Sequence, residues 1–310
     1  MTCGGDDGAA RGKRLFYDME GRMRMKICIS VDMEGISGVN TKEHVLSDAR
    51  LYGEARCMLT EDVNAAVRGA FAGGADEVIV MDMHGGSNNV LTEQLDERAL
   101  LLVGTPHFPR FPFLNGSDGL FLVGYHAQAG AERGSLEHTM TSMAWHKYLV
   151  NGVPFGEVGV DADIAGWEGV PVVMVSGDDK LCDEARSMLG AQIEAACVKQ
   201  GVGRQCALCV SPAEGRRRIE RAARRAVERL AAGEKFPLFC AGSPVTVRTV
   251  YKFTPDADAA MTYDSRRIDG YTVERDWPRL CDAYGGLWSE RGEEQRVHYG
   301  KDEFEKQPPS

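Results

Sequence analysis

Short apolar runs that end in acids or histidines constrain this chain more than any other feature. Ile27-Cys28-Ile29 reads as a buried strand, and Ser30-Val31-Asp32-Met33-Glu34-Gly35 follows it. Glu77-Val78-Ile79-Val80-Met81-Asp82 is a second apolar strand, followed by His84-Gly85-Gly86. Leu120-Phe121-Leu122-Val123-Gly124-Tyr125 is a third, closed by His126. Gly156-Glu157-Val158-Gly159 adds an acid between glycines, just after Pro154. In open α/β sheets, ligand-binding groups gather beyond the carboxyl ends of the strands. Side chains alternate along a strand, so Asp32 and Glu34 are expected to share a side. Two acids at the end of a core strand repel each other and cost desolvation unless a cation joins them. A divalent metal is the expected partner.

Helical periods separate these runs. Leu51, Ala55, Met58, Leu59, Val63, Ala66, Val67 and Ala70 predict a helix over 47–71, ended by Gly73-Gly74. With its flanking strands it makes a β-α-β unit and a parallel strand pair. Further strands are predicted at 100–103 and 171–175, and a helix at 157–167. A strand over 139–150 turns at Asn151-Gly152, a hairpin signal. Pro106, Pro109 and Pro112 punctuate a surface loop. Asp178-Asp179 starts a helix, and Ser211-Pro212-Ala213-Glu214 is a capping box opening another, to about residue 232. Strands at 245–253 and 271–274 and a helix from 278 follow. The fold class expected is α/β: a layered, mostly parallel sheet with flanking helices and a smaller C-terminal α+β domain. The expected boundaries are a disordered N-terminal extension over 1–24, a metal-binding catalytic domain over 25–205, and the smaller domain over 206–310. A translation start at Met23 or Met25 is the alternative reading of the extension.

The net charge is 36 − 46 = −10, which argues against nucleic acid or an anionic membrane surface as a partner. The arginines of 216–225 alternate with Glu214, Glu220 and Glu228 and read as a solvated helix. Nine cysteines lack framework spacing, and Cys206-Ala-Leu-Cys209 has no second pair to complete a zinc site. No stretch approaches a transmembrane length, and no signal region is visible, so a reducing cytoplasm is the expected location.

The segments SVDMEGISGV, VMDMHGGSNN, FLVGYHA, GSLEHTM and GEVGVDA, in this order, resemble the zinc-dependent D-aminopeptidase family. The resemblance runs from about Met25 to about Gln200, with no clear match in the extension or beyond about Val210. It implies metal ligands at Asp32, Glu34, His84, His126 and Glu157, and a catalytic histidine at His138. It implies that Asp32 bridges, with Glu34 and His126 on one zinc and His84 and Glu157 on the other. It also implies a homo-oligomer, in the family a ring-shaped decamer enclosing the active sites.

The ligand chemistry agrees with that carry-over. A two-zinc hydrolase needs about three protein ligands per metal and an open position, which five residues supply if one carboxylate bridges. Three carboxylates against two dications leave about one positive charge, suited to an acidified water and a polarised carbonyl. Oxygen and imidazole ligands without cysteine suit zinc and also accept manganese or cobalt. His138 is suited to proton transfer or nucleophilic attack, and the choice stays open. The expected function is a dizinc aminopeptidase on short peptides with an N-terminal D-residue. A metal-dependent amidase acting on a non-peptide substrate and a non-catalytic metal- or peptide-binding protein are the alternatives.

The other candidates read as follows. Asp82 either orients His84 or caps the turn after it, while Asn88-Asn89 reads as a turn and Lys199 as a surface lysine. His44, His107, His146 and His298 have no matching motif and read as structural or surface residues.

Overall fold

The computed structural model describes residues 24–106 and 109–283. Almost all of the N-terminal extension, His107, most of the helix expected from 278, and His298 lie outside the described residues. The chain runs through β1 (Lys26–Val31), α1 (Lys42–Val45), α2 (Tyr52–Gly73), β2 (Glu77–Asp82), β3 (Leu100–Leu102), β4 (Gly119–Tyr125), β5 (Trp145–Val150) and β6 (Val153–Pro154). Then follow α3 (Glu157–Trp167), β7 (Val172–Asp178), α4 (Asp179–Leu189), β8 (Glu194–Gly203), β9 (Cys206–Cys209) and α5 (Pro212–Ala231). Next come β10 (Val245–Tyr251), α6 (Thr254–Ala259), β11 (Arg266–Arg267) and β12 (Thr272–Trp277).

The main sheet has the order β3-β2-β1-β4-β7-β8-β9. Its pairs are parallel except for the antiparallel edge strand β9. The chain first builds outward from β1 through β2 to β3, then returns to place β4 on the other side of β1. The switch point therefore lies between β1 and β4, where such sheets open a crevice. A second, antiparallel sheet has the order β11-β12-β10-β5-β6.

Alternate residues of each central strand serve opposite cores. Ile27, Ile29 and Val31 pack with Val63, Ala66 and Val67 of α2 and with Ile219 and Ala223 of α5. Cys28, Leu120 and Leu122 pack with Val158 of α3, Leu181 of α4, and Trp145 and Val247 of the second sheet. The helices α2 and α5 touch closely because Gly69 and Gly73 face α5: a Cβ on Gly69 would lie 2.4 Å from the Glu220 carbonyl. The expected α/β class with flanking helices is what the chain forms.

The segment after residue 205 divides between both layers. Cys206–Cys209 is the edge strand β9 of the main sheet, and α5 covers that sheet's core. The second sheet takes β5 and β6 from the middle of the chain and β10, β11 and β12 from its end. Strands β5 and β6 form the hairpin signalled by Asn151-Gly152, with Asn151 at φ 52° and Gly152 at φ 80°. The strand is shorter than 139–150, because residues 133–142 form a loop that reaches the crevice. At α4, Asp178 accepts the Leu181 N–H as the N-cap, and at α5 Ser211 accepts that of Glu214.

The backbone beyond β1 is pressed onto β4. The amide of Asp32 donates to Val123 O at 2.8 Å and that of Gly35 to Gly124 O at 2.7 Å. A Cβ on Gly35 would stand 1.9 Å from Tyr125 O, and one on Gly124, at φ 77°, would stand 2.2 Å from Asp32 O. Both obstacles are backbone and cannot rotate away. Gly35→Ala is therefore expected to cost about 3 kcal/mol or more, at or beyond the upper end of overpacking penalties. Denaturant unfolding reads this, and a variant within about 1 kcal/mol of wild type would show that the loop is free to leave β4.

Candidate metal centre

The switch point supplies most of the cluster. Asp32 and Glu34 follow β1, His84 follows β2, His126 closes β4, and Glu157 opens α3 from the side. His138 arrives on the 133–142 loop. Strand β1 ends at Val31, so Asp32 and Glu34 stand on the turn beyond it rather than on a continuing strand. They still converge: ligand atoms of Asp32, Glu34 and His126 all lie within 4.8 Å of one another. A second group, His126, His138 and Glu157, meets the same limit. The structure thus brings all six sequence-predicted residues to one cleft or its floor.

Acids and imidazoles also touch one another directly within the cluster. Glu34 faces His84, with Oε1 3.5 Å from Nε2. Glu157 faces His126 at 3.3 Å, and Asp32 reaches His126 at 3.4 Å. Strands β1 and β2 are neighbours, which sets Glu34 beside His84, while Glu157 comes in from the far side of β4.

Each histidine turns Nδ1 to an oxygen. His126 Nδ1 lies 3.0 Å from Ala127 O, His138 Nδ1 3.0 Å from Leu136 O, and His84 Nδ1 3.4 Å from the Asn89 side-chain oxygen. A carbonyl only accepts, so the Nδ1 atoms of His126 and His138 carry hydrogen and their Nε2 atoms keep a lone pair when neutral. The His138 ring stacks on His126 with centroids 4.0 Å apart and planes within 8°. Leu136 at φ 54° and Met140 at φ 59° bracket His138 in left-handed backbone, which is uncommon for such residues. The Met140 amide donates to Glu157 Oε1 at 2.8 Å and fastens this loop to α3.

The cluster is short of positive charge. Burial and the Glu34 charge push Asp32 well above the usual carboxylate range. Burial opposes the charge on Glu34, but the His84 charge outweighs it and holds that carboxyl well below its usual range. Burial likewise pulls His84 down, yet Glu34 lifts it to about 10. At His126 burial is outweighed by Glu157, and the imidazole rises well above its usual value. Burial and the neighbouring His126 charge lower His138, which favours its neutral form. Protons on the imidazoles thus stand in for missing cationic charge. Asp32 Oδ2, Glu34 Oε2 and His126 Nε2 are buried and have no hydrogen-bond partner. Buried polar atoms are rarely left so, and orphaned oxygens facing imidazole nitrogen fit a divalent metal.

A set of surrounding residues holds the cluster in place. Asp82 accepts the amides of Asn89 and Val90 and the Asn89 side-chain N–H. Asn89 in turn accepts from Tyr52 at 2.6 Å and donates to His84 O at 2.7 Å. Asp82 therefore acts on His84 through Asn89, which does more than make a turn. Under the site, Tyr125 Oη donates to Asp161 at 2.5 Å and meets Ser30 Oγ at 2.6 Å. Arg110 grips the same Asp161 through two nitrogens. The signal was present, since Asp161 sits one helical turn after Glu157 within an apolar helix and required a partner. Glu184 of α4 accepts the Gln128 amide at 2.8 Å, steadying the chain just after His126. His44 is buried against Thr41, and His146 is exposed on β5, away from the cluster.

The His84 shift carries a prediction for the metal-free chain. Its folded pKa of about 10 lies above the free value of 6.5. The stability it contributes is complete below the free value and is lost as pH rises through the folded one. Chelator-treated protein is expected to unfold more easily at about pH 9.5 than at about pH 7, and His84→Gln to narrow the gap. An undiminished gap in the variant would remove the Glu34–His84 pair as its source.

The comparisons bear on the same residues. A D-aminopeptidase family model matches residues 25–288, well past Val210, where the resemblance had faded by eye. A D-aminopeptidase of Bacillus subtilis (strain 168) is 39% identical over 197 residues, which cover 62% of this chain and 70% of that protein. The solved structure of the Zn-dependent D-aminopeptidase DppA from Bacillus subtilis, described as a self-compartmentalizing protease, superposes with a TM-score of 0.79. It is 30% identical, and the match covers 87% of this chain and 99% of that one. The chain belongs to the D-aminopeptidase family and is a hydrolase acting on peptide bonds.

Proposed function

We propose that Asp32, Glu34, His84, His126 and Glu157 hold two zinc ions, and that the enzyme releases an N-terminal D-residue from short peptides. The observation that carries this is the set of buried, unpartnered ligand atoms on Asp32, Glu34 and His126. The mutual proximity of Asp32, Glu34 and His126 supports Glu34 and His126 as the residues that would hold one ion, with His84 and Glu157 for the other and Asp32 shared. When bound, the ions would supply a polarised scissile carbonyl and a water acidified toward neutrality.

The chain's own groups do the rest. Burial and the neighbouring His126 charge lower His138 and favour its neutral form, its Nδ1–H is held by Leu136 O, and Nε2 is left to take a proton from the attacking group. The same Nε2 then returns that proton to the leaving amine. Loss of a positioned acid/base costs at least about 100-fold in rate. The cleft is about 980 Å³, within the range of small-ligand sites. Lys42, Arg204 and Lys252 line it, Arg110 being held by Asp161, and its acids among the described residues are Asp32, Glu34 and Glu157. Basic walls around an acid-rich floor suit a peptide short enough to bring its free carboxylate inside.

No helix among the described residues is long and apolar enough to cross a membrane. Similarity to DppA, described as a self-compartmentalizing protease, supports association of copies. The proposal extends to a homo-oligomer, as a ring-shaped decamer, working in the cytoplasm. Its division into a catalytic unit over 25–205 and a smaller unit over 206–310 is proposed for function only, since both layers share strands and helices across residue 205.

Metal counting tests the centre. Asp32→Ala is expected to hold well under one zinc per chain, and Glu157→Ala about one, because only Asp32 serves both ions. Two zincs retained in Asp32→Ala would sink the shared-carboxylate site. His138→Ala is expected to keep its zinc and lose at least about 100-fold in kcat on D-Ala-D-Ala. Loss of zinc would make His138 a ligand, and unchanged turnover would remove it from the chemistry.

A further inference from the structure

Lys199 is a buried cation outside the chemistry described so far. It lies on β8, is 2% exposed, and comes from a point 165 residues beyond Glu34. Its ammonium donates to Glu34 O at 2.5 Å, to Ile36 O at 3.3 Å, and to Val39 O. A lysine has three N–H donors, and each has a carbonyl acceptor here. No carboxylate lies within ion-pair distance of it among the described residues. Burying an ammonium without a carboxylate is costly, so the arrangement needs a compensating role.

The three carbonyls belong to one short loop, and that loop carries Asp32 and Glu34. Its inner edge is already fixed against β4 by the Gly35 amide. Its outer part is held by Asp62, which accepts the Ser37 amide at 2.9 Å. The carbonyls of 34, 36 and 39, on either side of and between these points, turn inward to the Lys199 ammonium. Backbone oxygens converging on one positive charge are how proteins hold a monovalent cation. The lysine supplies that cation already attached to the chain.

We infer that Lys199 is a tethered cation that fixes the conformation of the 32–39 loop and so positions Asp32 and Glu34 for metal. This rests on the assignment of those two carboxylates as ligands. Lys199 touches neither substrate nor metal; it is a positioning residue that acts through the backbone. Outer groups of this kind alter metal affinity or activity by about 10–100-fold when removed.

The test uses the full chain with Lys199→Met, of similar length and uncharged, and Lys199→Gln, which keeps two N–H donors. Zinc affinity is read by competition with a chromophoric chelator, on protein shown by circular dichroism to be folded. Both variants are expected to bind zinc about 10–100-fold more weakly, Met more than Gln, with kcat at saturating zinc falling more than KM rises. In Lys199→Ala, potassium or ammonium chloride is expected to restore part of the zinc affinity, while sodium-matched wild type shows no such gain. Folded variants that bind zinc as wild type does would overturn the inference. Failure of both Met and Gln variants to fold would overturn it as well, by making Lys199 a requirement of the fold. Wild-type protein that binds no zinc would instead refute the metal assignment, so the two failures are distinct.

Discussion

Convergence of three buried carboxylates is the constraint on which this structure depends. Two charges 4 Å apart at an effective dielectric of 20 repel by about 4 kcal/mol, and each carboxylate also loses water on burial. The fold accepts this at Asp32, Glu34 and Glu157, and offsets it with imidazoles rather than with lysine or arginine ion pairs. Arginine would quench the acids with fixed charge and leave no ligand free. Imidazole can give up its proton, so the nitrogen that steadies the acids is also one that could ligate a metal. The fixed cations nearby are spent elsewhere: Arg110 on Asp161, and Lys199 on carbonyls.

The parallel sheet makes the convergence possible. Beyond the switch point, the chain leaves β1 and β4 in opposite directions and opens a crevice between them. Two glycines then let the Asp32 turn sit directly on β4, where any side chain would meet backbone oxygen. Under the floor, Ser30, Tyr125, Asp161 and Arg110 form one buried polar chain. Ser30, Tyr125 and Asp161 neighbour Asp32, His126 and Glu157 respectively along the strands and helix. A shift of any one ligand-bearing element would break a hydrogen bond below the site, and buried networks are costly to leave half satisfied.

Much of this was legible because the site lies at strand ends. Apolar runs locate strands, and whatever polar residue follows them is exposed to the crevice, so Asp32, His84 and His126 announce themselves. Glu157 was marked by its glycines at a helix start. The second sheet was not legible as a unit, since β5 and β10 meet across about a hundred residues and antiparallel pairing over that distance leaves no local pattern. Strand β8 was missed because Glu194 to Gly203 mixes buried and exposed positions without clean alternation. Lys199 was read as a surface residue because a lysine's default is solvent. What buries it is the curvature of a loop 160 residues earlier, which no window of sequence contains.

The contacts inside the cluster follow from the topology. A motif is local in sequence, but which acid touches which imidazole is set by strand order. Once β1 lies between β2 and β4, Glu34 is carried toward His84 and Asp32 toward His126. Glu157, entering on α3 at the β4 side, is left to His126 and the His138 loop. Asp32 stands close to both Glu34 and His126. The loop bearing His138 closes the same side, tied to Glu157 through the Met140 amide and to Asp178 through the Ser135 amide. The His138 loop is thus braced by Glu157, and the His138 ring is stacked on His126 rather than left to swing in the cleft.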